Sequence, residues 1–486
     1  MAYETILGLE VHIQLATRSK LFCACPNEFA GEANTRVCPV CLGLPGALPT
    51  LNAGAAVMVA RLGLALGATV HARSIFARKN YFYPDMPKNY QISQYDAPLV
   101  TGGFLDIGTA AAPRPIPITR VHLEEDTGKS FHPERHGDRE ETRLDFNRCG
   151  VPLAEMVSEP ALRTPEEAFA YLLALRRLVR WLGISDGDME KGSLRCDANV
   201  SLRPAGATAF GTRTEIKNLN SIAGVKNAIA AEVVRQTGVL DSGGTITQAT
   251  LLWDQDKERL QVMRTKEEAH DYRYFPEPDL PPLEFAPAAL EAERRAMPEL
   301  PIARARRFEE ALGLPAYDAD LLTDARELAD YFEATVQAGA PAKAAANWIG
   351  NDVLRTLKET GQSLAEFRST LPPPRLAGLL TLAAGGTLSS KLAREVFALL
   401  LVEAGSAEEL AKRHGLTQES DAGALGAAAE AVLAANPSVV ADYLGGKDKA
   451  LTFLVGQLMK ETKGRANPAL AQQVLRDALG RGAAPR

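Results

Sequence analysis

The feature that most constrains this chain is the run Gly8-Leu-Glu-Val-His-Ile-Gln14, in which Leu9, Val11, Ile13 and Leu15 alternate with Glu10, His12 and Gln14. A period of two belongs to a β-strand with one apolar and one polar face. A glutamate and a histidine side by side are an unusual choice for a face that is only wet, although a solvated strand face is the plainer alternative.

Three later stretches repeat the pattern. In Arg120–Asp126, Val121 and Leu123 alternate with His122 and Glu124, and Glu125 and Asp126 follow at the strand end. In Ser193–Arg203, Leu194, Cys196, Ala198, Val200 and Leu202 oppose Ser193, Arg195, Asp197, Asn199, Ser201 and Arg203. Arg213, Glu215 and Lys217 share a face in a fourth stretch. A sheet built from these strands gathers carboxylates, histidine and several cations on one side. Packed carboxylates repel unless a cation lies between them. An oxygen-rich donor set suits Mg²⁺, and Mg²⁺ with nearby Arg and Lys suits nucleotide phosphates. The expectation is a concave sheet holding Mg²⁺ and ATP.

The remainder of the chain narrows the class. Its 486 residues suffice for roughly three domains. A hydrophobic content of 46% and a charged content of 23% are those of an ordinary globular protein. The net charge of −6 argues against a wholly basic nucleic-acid binder, so any RNA contact must be a local patch. No charged region followed by a long apolar run opens the chain, and no apolar run reaches membrane-spanning length. These features predict a cytoplasmic protein with no membrane association.

Cys23-Ala-Cys25 is separated by twelve residues from Cys38-Pro-Val-Cys41. Two short clips of thiols in a reducing compartment suit a closed, tetrahedral structural Zn²⁺ site better than disulfides. The alternative is four reduced, unliganded cysteines. Cys149, between an Arg and a Gly, could be read as a nucleophile, but no Cys-His signature supports that over a packing role.

Asn52 is placed to cap a helix from about Ala53 to Leu66, and Thr164-Pro-Glu-Glu167 opens another running to about Leu182. Asp186, Asp188 and Glu190 then lead into the Ser193 strand, and residues 221–236 read as helical. Arg78–Asp96, aromatic and broken by prolines, reads as a long ordered loop with Lys79, Lys88, Gln91 and Gln94 as candidate substrate-side groups. A surface loop held by its own aromatics is the competing reading. Gly128-Lys129-Ser130 resembles the end of a P-loop, but Leu123 stands where the first Gly is needed. ATP would be held by side chains and metal rather than a glycine cradle.

Pro276, Pro278, Pro281 and Pro282 end the first region, and helical sequence follows to the C-terminus with a turn at Gly405-Ser406. The expected domains are 1–294, 295–405 and 406–486. In the last, Lys447, Lys449, Lys460, Lys463 and Arg465 lie among glycines that let backbone approach phosphate. A solvated charged face and an RNA-binding tail are both consistent with that composition.

With these stretches in view, the chain resembles the family of B subunits of aspartyl/glutamyl-tRNA amidotransferases. The resemblance is carried by 8–15, 37–48, 78–96, 122–129, 145–148, 193–201, 215–221, 271–280 and 456–468. It implies an α+β fold: a glutamine-synthetase-like cradle with a mixed or antiparallel sheet, then two small all-helical domains, the last contacting tRNA. It implies a heterotrimer with the amidotransferase A and C subunits, with a matching aminoacyl-tRNA synthetase as a further candidate partner. The A subunit would release ammonia from glutamine. The B subunit would use ATP and Mg²⁺ to activate Glu or Asp misacylated on tRNA(Gln) or tRNA(Asn).

By that resemblance, Glu10, His12, Glu125 and Lys79 are the catalytic candidates. Glu10, His12, Glu124, Glu125, Glu190, Asp197 and Glu215 are the Mg²⁺ candidates. Arg195, Asn199, Ser201 and Lys217 are the ATP-binding candidates, and Cys23, Cys25, Cys38 and Cys41 the Zn²⁺ ligands. Two other classes stand beside this one. A stand-alone ligase for a small carboxylic acid would have no use for the basic tail, and a non-catalytic tRNA scaffold no use for clustered carboxylates.

Overall fold

The alternating run at the N-terminus becomes a twelve-residue strand, β1 (Tyr3–Gln14), in which Leu7, Leu9, Val11 and Ile13 are buried and the residues between them half-buried. The structure, a computed structural model, describes residues 2–109, 112–131, 142–265, 272–416, 422–462, 466 and 468–482. Lys463 and Arg465 lie outside the described residues.

Among these, β1 sits near the middle of a ten-stranded sheet. Its other members are β2 (Thr69–Val70), β3 (Val100–Thr101), β4 (Pro115–Glu125) and β5 (Pro152–Ser158), followed by β6 (Leu194–Pro204), β7 (Thr214–Leu219), β8 (Ala249–Asp254) and β9 (Arg259–Thr265). The order is β9-β8-β7-β6-β1-β5-β4-β3-β2, with Phe104–Asp106 paired to β4 off this path. Neighbours on the path are antiparallel except β7 and β8.

The apolar face of β1 meets three helices. They are α1 (Ala53–Ala65), α2 (Pro165–Trp181) and α3 (Ile222–Asp241). Val59 of α1, Leu172 and Leu175 of α2, and Val225 and Ile229 of α3 share one core with Leu9, Val11 and Ile13. Each fully buried Leu, Ile or Val contributes about 1.5–3 kcal/mol on leaving water, which makes this row the anchor of the sheet. The helix starts follow their caps. Asn52 Oδ1 accepts from Gly54 N at 3.0 Å, and Thr164 Oγ1 accepts from Glu167 N at 3.1 Å with Pro165 in the first turn.

The Arg78–Asp96 segment departs from the expected loop. Ala77–Asn80 and Tyr90–Ser93 pair as an antiparallel hairpin, joined on its outer edge by Phe275–Pro276. Pro84 and Pro87 fall in the connection, where no ladder N–H is needed, so they do not interrupt either strand.

The chain divides into two compact units, Met1–Arg304 and Ala305–Arg486. The second is helical. Its helix Ala407–Arg413 packs on Pro373–Ala384 and Ser390–Val402, and Arg375 donates to the carbonyls of Glu403 and Gly405. Packing therefore spans the turn at Gly405–Ser406, where the sequence suggested a boundary. Leu425, Leu454, Leu458 and Leu475 belong to a separate core formed by the last helices. No helix among the described residues is long and apolar enough to cross a membrane.

Candidate active site

Strand register carries the site. His12 lies opposite Arg195 on β6 and opposite Glu155 on β5, and Glu155 lies opposite His122 on β4. One rung across four strands therefore reads Arg195, His12, Glu155, His122, all on the face away from the core. The next rung carries Asp197 and Glu10. On the other side, Gln14 pairs with Leu153 and Leu153 with Glu124. The rung, with Glu10, Asp197 and Glu124, lines a cavity of about 530 Å³.

Glu155 is the residue that sequence reading missed. One of its oxygens lies 3.5 Å from Nε2 of both His12 and His122, and the other lies 3.5 Å from the Arg120 guanidinium. It is 4% exposed. The signal was present: Pro152-Leu-Ala-Glu-Met-Val-Ser158 is a short apolar run with one charge at its centre. β5 is buried on both faces, so it shows no period of two, and a search for alternation passes over it.

The electrostatics follow from this crowding. Burial opposes ionisation of Glu155, but His122, the hydrogen bond and charge of His12, and Lys79 overrule it and hold the carboxyl well below its usual range. Burial and then the Glu155 charge push Glu10 up to about 7, against the pull of His12. The two imidazoles diverge. Burial lowers His122 despite Glu155 and Glu124. At His12 burial is outweighed by the Glu155 hydrogen bond and charge, and the pKa rises.

Glu124 is held firmly, accepting from Gln91 Nε2 at 2.8 Å and Ser93 Oγ at 3.0 Å, with Lys79 Nζ at 3.4 Å. The hairpin thus delivers Lys79 to the sheet face. Burial disfavours its charge, but Glu124 and Glu155 more than compensate and raise its pKa. Asp126 accepts from Gln14 at 2.9 Å and pairs with Arg195 at 2.9 Å, which aims the guanidinium across the rung. A bulge in the β6–β7 pairing brings Lys217 into ion pairs with Asp197 and with Glu215, the latter at 3.0 Å.

Glu10, His12 and Glu155 each offer a ligand atom within 4.8 Å of the others, and so do His122, Glu124 and Glu155. Glu155 is common to both sets. Carboxylates squeezed this closely, one of them displaced to about 7, are a donor set that a divalent cation would relieve.

Four expected residues are placed elsewhere. Glu125 is still within β4, so it takes the face opposite Glu124. There it forms a buried ion pair with Lys88 and accepts from Ile92 N at 2.9 Å. Glu190 lies exposed in the turn before β6. Asn199 and Ser201 share the face of Asp197 but sit further along β6, opposite Gly8 and Ile6. They line a second cavity of about 600 Å³ with Gly8, Phe210, Thr212 and Arg213.

The sulfurs of Cys23, Cys25, Cys38 and Cys41 also lie within 4.8 Å of one another and could bind a structural metal. A hydrogen bond from Cys23 lowers Cys41 to about 5, assisted by the buried Lys20, whose Nζ lies 3.8 Å from that sulfur. The loop is laced to the segment before β5: Asn34 N donates to Asp145 at 3.1 Å and Arg36 N to Asn147 at 2.8 Å. Gly43, at φ +65°, packs directly against the Lys88 side chain, where any Cβ would collide. Cys149 is buried and its thiol is raised to about 12 by that burial, the environment of an inert packing residue.

Comparison with known proteins identifies the family of the chain. Residues 5–291 match the GatB/GatE catalytic domain family, and residues 330–479 match the GatB domain family. The chain is similar to the B subunit of the aspartyl/glutamyl-tRNA(Asn/Gln) amidotransferase of Moorella thermoacetica, at 51% identity over 99% of this chain and 100% of the relative. It is equally similar to the proteins of that description from Chlorobaculum tepidum, at 50% over 99% and 100%, and from Chlorobium limicola, at 52% over 99% and 100%.

Proposed function

The chain belongs to the family of B subunits of aspartyl/glutamyl-tRNA(Asn/Gln) amidotransferases, and on that premise we propose that its sheet face phosphorylates the side-chain carboxylate of Glu or Asp carried by misacylated tRNA(Gln) or tRNA(Asn). The observation that carries the reading is the rung Arg195, His12, Glu155, His122, an ionised carboxylate between two imidazoles with cations at its edges. A carboxylate is a poor acyl donor. Transfer of the γ-phosphoryl of ATP to it releases ADP and forms an acyl phosphate. Ammonia then attacks the acyl carbon and phosphate leaves, giving the amide.

Phosphoryl transfer asks a protein mainly for positioning and charge neutralisation. Lys79, Arg195 and Lys217 hold the phosphate oxygens from three sides of the cavity. Asp126 keeps Arg195 in place, and Asp197 with Glu215 does the same for Lys217. Glu10, His12, Glu155, His122 and Glu124 would hold divalent cation. Mg²⁺ there supplies charge neutralisation across the phosphates. The nucleoside of ATP occupies the second cavity, where Gly8 leaves the floor open and Asn199 and Ser201 offer hydrogen bonds. We place the sheet in the glutamine-synthetase-like class on the same grounds, a mostly antiparallel sheet with one face carrying carboxylates. Ammonia comes from the A subunit, the glutaminase of a complex that also includes the C subunit. Single-turnover incubation of the complex with γ-labelled ATP and Glu-tRNA(Gln) should yield phosphorylated Glu-tRNA. Absence of that species would refute the reading.

Zinc is the metal we assign to the four cysteines, because a closed set of four sulfur ligands is its usual structural site. Protein purified without chelator should carry about one zinc per chain by elemental analysis. A folded, zinc-free preparation would refute the assignment.

The terminal helices are the proposed tRNA-binding tail. Lys447, Lys449 and Lys460 lie there on an otherwise acidic chain. Deleting residues 422–486 should leave the N-terminal unit folded with ATP binding intact, since that unit carries its own core. Affinity for tRNA should fall, and Lys460→Glu should reduce its salt dependence by about one ion's worth. Unchanged tRNA affinity after the deletion would remove the tail from the recognition surface.

A further inference from the structure

Phosphate, ammonia and a carboxylate have no use for aromatic rings, yet one wall of the main cavity is made of tyrosines. Tyr81, Tyr95, Tyr272 and Tyr274 line it. Tyr95 and Tyr274 stack on each other with centroids 4.1 Å apart and planes 6° from parallel, and Tyr272 meets Tyr274 edge-on at 6.1 Å. Tyr81 stacks on Tyr83 at 5.6 Å. The wall is not sealed in the interior, because Tyr95 is 52% exposed and Tyr272 and Tyr274 are partly exposed. It also adjoins the reacting groups. Lys79 Nζ sits 5.3 Å from the centre of the Tyr272 ring and 3.4 Å from Glu124.

The proposed substrate supplies what such a wall would bind. The carboxylate to be phosphorylated is tethered through an ester to the last ribose of the tRNA. Whatever brings it to Lys79 must bring the terminal nucleoside to the cavity mouth as well. Unpaired ends of RNA are held by stacking on aromatic side chains, which tolerates any tRNA body behind the end. The other nucleoside of the reaction, that of ATP, is assigned by the proposed function to the second cavity, whose lining includes Phe210 and Asn199.

We infer that the tyrosine wall formed by Tyr95, Tyr274 and Tyr272 is the subsite for the 3′-terminal adenosine of the tRNA. This inference rests on the proposed function for the identity of the substrate. The subsite holds the base by stacking and fixes the distance from the ester to Lys79. It requires no base-edge contact, which fits an end common to both tRNA species.

The test uses the assembled complex with Tyr95→Ala, Tyr274→Ala and the corresponding Phe variants, which keep the ring. The Ala variants should raise KM for misacylated tRNA about tenfold, within the range measured for loss of one base stack, and leave KM for ATP unchanged. The Phe variants should behave as wild type. Binding of uncharged tRNA, which needs no turnover, supplies the second arm. Removing the terminal adenosine should weaken binding to the wild-type complex about tenfold and have no further effect in Tyr274→Ala. A rise in KM for ATP instead, or equal losses from the shortened tRNA in wild type and variant, would overturn the assignment. Failure of the wild-type complex to phosphorylate Glu-tRNA would overturn the proposed function, while the binding arm would still decide the subsite.

Discussion

On the proposed function, Glu155→Gln should reduce formation of phosphorylated Glu-tRNA by about a thousandfold or more, because it removes the charge shared by both candidate metal-binding sets. The substitution keeps the shape of the side chain, so packing of β5 against β1 and β4 survives. What changes is the field. His12 loses the hydrogen-bonded carboxylate that favours its protonated form, and Lys79 loses one of the two negative charges that hold its ammonium in a buried place. Glutamine hydrolysis by the A subunit of the proposed complex, assigned to separate chemistry on a separate chain, should remain measurable. The measurement is single-turnover transfer from γ-labelled ATP, with unfolding by denaturant as the structural control. A folded variant with wild-type rates would mean that the rung is architectural and that the reaction lies elsewhere.

Glu125→Gln should behave in the opposite manner, destabilising the N-terminal unit while leaving the chemistry of folded molecules near wild type. Glu125 is 2% exposed, and its partner Lys88 is only 8% exposed in its side chain. Removing one member of a buried pair strands the other without a countercharge, which costs about 3–5 kcal/mol. The double variant Glu125→Gln/Lys88→Met should recover most of the loss, since nothing charged remains to be solvated. Chemical denaturation of the three proteins measures this directly. Full stability with abolished phosphorylation would place Glu125 at the reaction centre and invalidate the assignment of faces on β4.

The contrast between these two glutamates marks where local information ends. Glu124 and Glu125 are adjacent, and their class of chemistry is the same. The resemblance to a family placed both at the metal. A strand continued through Glu125 sends them to opposite faces, one into the cavity beside Lys79 and one into the interior beside Lys88. Only the length of the strand separates them, and that length is set by pairing with Pro152 on β5.

From the sequence alone came the elements whose cause is local. Alternation in Gly8–Leu15 and Ser193–Arg203 assigned Glu10, His12, Arg195 and Asp197 to one face, because successive residues of a strand point opposite ways whatever the strand pairs with. Asn52 and Thr164 marked helix starts, because a cap is a bond across two or three residues. The cysteine spacing pointed to one cluster for the same reason. Tertiary structure alone decided what stands beside what. It put Glu155 between His12 and His122 by inserting β5 between β1 and β4, a strand whose two buried faces erase the periodic signal. It gave Asn199 and Ser201 a cavity apart from that of Arg195, because pairing with β1 sets them opposite Gly8 and Ile6 rather than opposite the charged residues Glu10 and His12. Faces follow from backbone geometry within a residue or two, whereas register is a property of strands that are distant in sequence, and the chemistry of this site is written in the register.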